Sequence, residues 1–198
     1  MLGENDYMKN IGTQQIETDR LVLKRITIEN AEDMYHNWAS DEEVTKYLTW
    51  KPHKRIEDTK NAISRWEKEL EQEDCYRWCR ELKDNQQVIG TIDVVDINSD
   101  IECAVFGYCM SKNYWNQGIM TEAFTAVKNF LFERVGFNRI EASHHTENSG
   151  SGKVMKKVGM SLEGIKREGA KDNEGNLCDT ATYSIFKADW EKEKLYNF

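Results

Sequence analysis

The chain has 198 residues, of which 39% are hydrophobic and 31% charged, and a formal net charge of -8 at pH 7. That length suits one domain at about 150 residues per domain, and the acidic balance argues against nucleic acid as a partner while remaining compatible with a cationic substrate. No apolar run approaches the roughly 20 residues of a membrane span and the start, MLGENDYMKN, is too polar for a signal peptide, so no membrane partner is expected and the protein is assigned to the cytoplasm.

Residues 1–15 are expected to form a disordered leader and residues 16–198 one ordered domain. Ile16 to Ile26 alternates apolar with polar residues, Leu21 and Leu23 against Arg20 and Lys24, and reads as a first strand. Ile28 to Ala39 then turns helical, and Glu42 to Leu48 reads as a short helix ending before Pro52, the only proline. Ile56 to Gln72 is a longer helix with Ile63, Trp66 and Leu70 on one side and Glu67, Lys68 and Glu71 on the other. Cys75 to Leu82 and Gln87 to Ile97 are strands joined by Asp84-Asn85-Gln86, whose Asp and Asn favour a tight hairpin turn. Ile101 to Met110 continues the meander.

A helix follows from Gln117 to about Val135, then a strand from Asn138 to Thr146 and a helix from Ser149 to Val158 that Gly159 ends. Strands near Met160 to Gly169 and Leu177 to Lys187 precede a short final helix, Ala188 to Lys194. Five cysteines (Cys75, Cys79, Cys103, Cys109, Cys178) contain no C-x-x-C pair and read as reduced thiols. His36, His53, His144 and His145 lack the spacing of a helical metal motif, and neighbours on a strand point to opposite faces, so no metal is expected.

Two segments carry chemistry. In Tyr114-Trp115-Asn116-Gln117-Gly118-Ile119-Met120-Thr121, an apolar strand hands over to an amphipathic helix. The first N–H groups of such a helix have no intrahelical partner, the peptide dipoles add partial positive charge, and Gly118 has no Cβ to obstruct a ligand, so a phosphate can dock there. The second segment is Asn148-x-x-Ser151 with Lys157, Gly159, Met160, Glu163 and Gly164. Each has a structural reading too: Asn148 or Ser149 caps a helix, Ser151 sits in its first turn, Gly159 ends it, and Gly164 permits a bend.

Together, the pairing YWNQGIMTEA with N-x-x-S and K-x-G-M-x-x-E-G resembles the GNAT superfamily of acyl-CoA-dependent N-acetyltransferases, in the branch similar to ribosomal-protein alanine N-acetyltransferases. The resemblance runs from about Ile16 to Trp190. It implies an α/β (α+β) fold with one mixed, mostly antiparallel sheet of six to seven strands, splayed between the fourth and fifth strands (Ile101 to Met110 and Asn138 to Thr146) and flanked by helices. It implies acetyl-CoA as co-substrate, with the coenzyme A pyrophosphate on the main chain of Trp115, Asn116, Gln117, Gly118, Ile119, Met120 and Thr121. The pantetheine arm is then expected along Tyr108, Cys109 and Met110, with Asn148 contacting it directly or through water. Ser151 matches the family's serine, proposed to protonate the departing thiolate.

The chain departs from the family pattern at the base. The acidic residue expected before G-Y is Val105, and the glutamate expected beyond E-G is Ala170. Glu102, His145 and Glu168, with Glu147, are the alternative base candidates. Positioning is worth roughly 7 to 11 kcal/mol against about 3 to 5 for a general base, so a missing base slows such an enzyme without ending its activity. Trp50 and His53, beside Pro52, are the candidates for contact with the acceptor, a small-molecule amine or a protein N-terminus. A homodimer is expected by analogy with relatives. The competing reading is a module that binds acetyl-CoA without turnover.

Overall fold

The alternation that predicts one strand over Ile16 to Ile26 is broken at residues 18–20, where the chain reverses. In the computed structural model, which describes residues 8–196, Thr18 N–H donates to Leu21 O at 3.0 Å and Leu21 N–H donates to Thr18 Oγ1 at 3.1 Å. This turn separates β1 (Ile16–Glu17) from β2 (Leu21–Lys24). The sheet therefore has eight strands, one more than the upper expectation.

The others are β3 (Arg77–Leu82), β4 (Val88–Asn98), β5 (Cys103–Met110), β6 (Arg139–His145), β7 (Ser161–Lys171) and β8 (Leu177–Phe186). Their order is β1-β2-β3-β4-β5-β6-β8-β7. All neighbours are antiparallel except β5 and β6, which run parallel. A parallel pair needs a helical crossover, and α4 (Ile119–Phe130), prolonged by a wider turn over Leu131–Val135, supplies it. The β3–β4 hairpin closes at Gln86, whose N–H reaches Leu82 O at 2.8 Å from a left-handed φ of 60°.

Helices cover both faces. On one side lie α1 (Ala31–Met34, continued by Tyr35–Ala39), α2 (Glu42–Thr45) and α3 (Ile56–Glu69). Met34, Trp38, Ile63 and Leu70 pack there with Cys79 and Val88 of the sheet. On the other side α4, α5 (Ser149–Lys157) and α6 (Lys187–Tyr196) bury Phe124, Val127, Met155 and Trp190 against Trp78, Ile92, Phe106 and Ile140. Burying each such large apolar side chain is worth about 1.5–3 kcal/mol. Trp66 of α3 is half-buried: it packs at the margin of this core and the Arg77 guanidinium lies over its ring at 4.7 Å.

The expected leader is corrected from residue 8 onward. Lys9 N–H donates to Val135 O at 2.8 Å, Gly12 N–H to Glu73 O at 2.7 Å, and the Trp78 indole N–H to Gln14 O at 2.6 Å. Met8 and Ile11 pack on the core, so this stretch gains both hydrogen bonds and apolar burial. Residues 1–7 lie outside the described range. Among the described residues, no helix is long and apolar enough to cross a membrane.

Candidate active site

β5 and β6 pair only as far as Phe106 and Ala142. Beyond that point Gly107 to Met110 stay bonded to β4 alone, and Ser143 to His145 to β8 alone. The edge of β5 facing β6 therefore leaves main-chain groups without a ladder partner. A cleft of about 490 Å3 opens from this splay, and Tyr108, Cys109 and Met110 line it together with the starts of α4 and α5.

The backbone leading into α4 carries two left-handed residues, Asn116 at φ 60° and Gly118 at φ 75°, ψ 0°. Successive N–H groups in such a turn converge into an anion-binding concavity. Among the described residues no side chain caps this end of α4, so its first N–H groups remain available. Ile119 and Met120 bury their side chains in the core and offer only main chain. The Trp115 indole N–H donates to Met110 O at 2.9 Å and Gln117 Nε2 to Asn113 O at 2.9 Å, so both side-chain donors turn towards the protein. Of the expected coenzyme-binding residues, Trp115, Asn116, Gly118, Met120 and Thr121 line the cleft; Gln117 and Ile119 belong to the same turn without lining it.

The opposite wall is the first turn of α5. Asn148 Oδ1 accepts the Ser151 N–H at 3.1 Å and thereby caps the helix. Ser151 Oγ lies 2.8 Å from the Tyr108 hydroxyl, which also donates to Ser151 O at 3.2 Å. Burial pushes the Tyr108 phenol well above its ordinary pKa, so it stays protonated. Lys153 and Lys157 line this wall, whereas Lys156 does not.

Behind the cleft sits Arg80, which the sequence reading missed. It is fully buried and donates to Cys109 O, to Thr91 O at 3.2 Å and to Met120 Sδ at 3.0 Å. A Cβ on Gly90 would collide with it, so the missing side chain makes its room. Burial lowers its pKa to about 10, which leaves it cationic at neutral pH. Arg80 ties β4, the splayed end of β5 and the start of α4 together. The signal was an arginine, Arg80, at an interior position of the strand pattern RWCREL.

The base candidates are not assembled. Glu102 stands just before β5, about 20 Å of chain away from Tyr108 at roughly 3.3 Å per residue, and its carbonyl accepts from Asn138 and Arg139. Glu168 lies at a bulge of β7 with its N–H on Asp179, outside the cleft lining. His145 stacks 5.1 Å from Tyr47, a cleft residue, but its Nδ1 accepts the Glu147 N–H at 3.1 Å. The neutral ring then carries its proton on Nε2 and serves as a donor, not a base.

Trp50 and His53 are also displaced from the cleft. They face each other at 5.4 Å, His53 Nδ1 meets Thr59 Oγ1 at 2.7 Å, and the His53 N–H is fixed on Ala39 O at 2.8 Å. The loop is pinned to the helical block instead. Its place in the cleft is taken by Glu43, Val44, Tyr47 and Leu48 of α2 and the turn after it. Asn173, from the β7–β8 turn, donates to Thr45 O at 3.0 Å and braces α2 from outside. The cleft lining carries both signs of charge: Lys153 and Lys157 on α5, Glu147 just before it, and Glu43, which pairs with Lys112 at 3.2 Å.

Residues 20–161 match the family described as Acetyltransferase (GNAT) domain. An uncharacterized N-acetyltransferase of Bacillus subtilis (strain 168), YoaA, is 31% identical over 172 residues, covering 87% of this chain and 96% of the relative. Two solved structures share the fold. The ribosomal-protein-S5-alanine acetyltransferase of Vibrio fischeri superposes with a TM-score of 0.78 at 19% identity, over 89% of this chain and 98% of its own. The microcin C7 self-immunity acetyltransferase MccE, solved with acetyl-CoA and AMP, gives a TM-score of 0.74 at 20% identity, over 85% of this chain and 93% of its own.

Proposed function

The chain belongs to the GNAT acetyltransferase family, and on that premise we propose that it transfers the acetyl group of acetyl-CoA to a primary amine by direct attack in a ternary complex. The observation that carries this reading is the uncapped, left-handed entry to α4 on the same cleft as the unpaired edge of β5. The first suits a diphosphate and the second suits an extended pantetheine arm with its amides. The main chain of Trp115 to Thr121 would hold the pyrophosphate, and Lys153 and Lys157 lie on the wall across from it. Tyr108, Cys109 and Met110 would hold the pantetheine, with Asn148 and Ser151 opposite.

The amine enters beside Glu147, a carboxylate of the cleft lining that favours a cation. Its nitrogen lone pair attacks the thioester carbonyl carbon, and a free N–H on the open edge of β5 stabilises the oxyanion. The C–S bond then breaks, Ser151 gives its hydroxyl proton to the thiolate and is reprotonated from solvent, and the ammonium proton passes to solvent, so that one proton in all moves from the amine to the thiol. No carboxylate or imidazole base is assigned to that proton, so the reacting fraction of free amine sets the pH dependence. For an α-amine of pKa near 8, kcat/KM should rise about tenfold per pH unit below that value and level off above it. The acceptor is a protein N-terminal α-amine or a small-molecule amine; the name of the Vibrio fischeri neighbour favours the former.

Acetyl-CoA is titrated calorimetrically, and coenzyme A release is then followed in the same sample against amines and N-terminal peptides. Binding with amine-dependent release supports the reading. Binding without release across the panel would favour a coenzyme-binding module, the reading that Val105 and Ala170 support. Absence of binding would sink both.

A further inference from the structure

We propose that Arg20 is a phosphate-binding residue, supplying the diphosphate of coenzyme A with a cation that the α4 loop itself does not provide; this rests on the acetyl-CoA reading above. Arg20 stands just before β2, 97 residues before Gln117 in sequence, and three of its donors fix it beside α4. Its backbone N–H donates to Glu122 Oε1 at 2.9 Å, its Nε to Glu122 Oε2 at 2.6 Å, and its Nη1 to Gln117 O at 2.9 Å. Those bonds orient the guanidinium so that Nη2 points at Gly118. It is the one atom within 4 Å of where a Cβ on Gly118 would stand, at 3.7 Å. Nη2 has no protein partner among the described residues, and the side chain is 46% exposed. A guanidinium has five N–H donors in a planar fork that matches phosphate oxygens.

The charges around the loop leave a role for this cation. Glu122 lies in the first turn of α4 and would repel a diphosphate brought to that end. Burial opposes its ionisation, yet hydrogen bonds from Thr18 and Arg20 outweigh that and hold its pKa below the ordinary value. Glu122 is therefore an anion, and Arg20 both neutralises it and keeps Nη2 unused beside Gly118. Trp115 and Gln117 have turned their side-chain N–H donors onto Met110 and Asn113, and the remaining amide of the loop, Asn116, carries no charge. The lysines of the cleft, Lys153 and Lys157, belong to the far wall.

A rival role is purely structural: Arg20 braces the loop through Glu122 and Gln117 and never meets the ligand. Calorimetric titration of the full chain with acetyl-CoA and with S-acetyl-pantetheine, which lacks the diphosphate, separates the two. Arg20→Ala should weaken acetyl-CoA binding about tenfold or more, the scale of one charge-assisted bidentate contact, and leave acetyl-pantetheine binding unchanged. Arg20→Lys should recover part of the loss. Glu122→Gln, which removes the brace partner's charge but keeps the cation, should bind acetyl-CoA at least as tightly as wild type. Equal weakening by Arg20→Ala and Glu122→Gln would reduce Arg20 to a brace, and wild-type affinity in Arg20→Ala would overturn the proposal outright. Melting temperatures accompany each titration, with Arg20→Gln replacing Arg20→Ala should the latter not fold. Failure of the wild type to bind acetyl-CoA would instead remove the acetyltransferase reading, and this inference with it.

Discussion

The two helix ends that wall the cleft begin in opposite ways. α4 starts from Gly118 in a left-handed conformation and has no side-chain cap among the described residues, whereas α5 starts from Asn148, whose Oδ1 accepts the Ser151 N–H at 3.1 Å. An N-cap satisfies the same orphan donors that a phosphate would use. α4 therefore offers its backbone to a ligand, and α5, self-capped, offers side chains: the Ser151 hydroxyl, Lys153 and Lys157. A glycine at the start of a helix reads as an anion site when the sequence supplies no internal acceptor in its place.

Substitutions at the two ends should separate along that line. Ser151→Ala is expected to lower kcat about 100-fold, the low end for a general acid, with the affinity for acetyl-CoA nearly unchanged; a rise in KM with constant kcat would assign Ser151 to binding instead. Gly118→Ala puts a Cβ at a φ of 75° and into the cradle, so calorimetry should find acetyl-CoA binding weaker by about 30-fold, roughly one charge-assisted hydrogen bond. The same variant should melt only slightly lower. Asn148→Ala removes a cap and should cost about 1 kcal/mol of stability in denaturant unfolding, with a smaller effect on binding than Gly118→Ala. If Asn148→Ala weakened acetyl-CoA binding as much as Gly118→Ala, the distinction between the two ends would collapse.

The smallest effect concerns pH. The folded pKa of Glu122 lies below the ordinary carboxylate value of 4.5, so the unfolded chain binds its proton more readily. Its contribution to stability is complete above about 4.5 and is lost as pH falls through the lowered folded value. Unfolding free energies of wild type and Glu122→Gln should thus differ at pH 6 and draw together as pH falls below the ordinary carboxylate range; a constant gap would detach Glu122 from the Arg20 and Thr18 network.

Much of this was legible in the chain. The helix from Gln117, the strand CAVFGYCM and the N-x-x-S turn appear where periodicity and glycine placement put them, because each is a local pattern of backbone conformation and apolar spacing. The splay was expected only through family resemblance, since loss of pairing after Phe106 depends on two strands far apart in sequence. Trp50 and His53 misled for the same reason: aromatics beside a proline promise an exposed loop, but contacts to Ala39 and Thr59 turned them away from the cleft. His145 remained near the site while the Glu147 N–H settled its proton on the wrong nitrogen for a base.

By itself the sequence determined the order of elements, the uncapped glycine entry to α4, the Asn148 cap and Ser151, since these follow from residue type within a few positions. Tertiary structure alone decided which distant groups meet there: Arg80 threaded past Gly90 to Cys109, Arg20 brought to Gln117, and α2 in place of the Trp50 loop as a wall of the cleft. Long polar side chains carry no periodic signature in sequence, and their partners are selected by the burial and hydrogen-bond satisfaction that exist only once the sheet has closed.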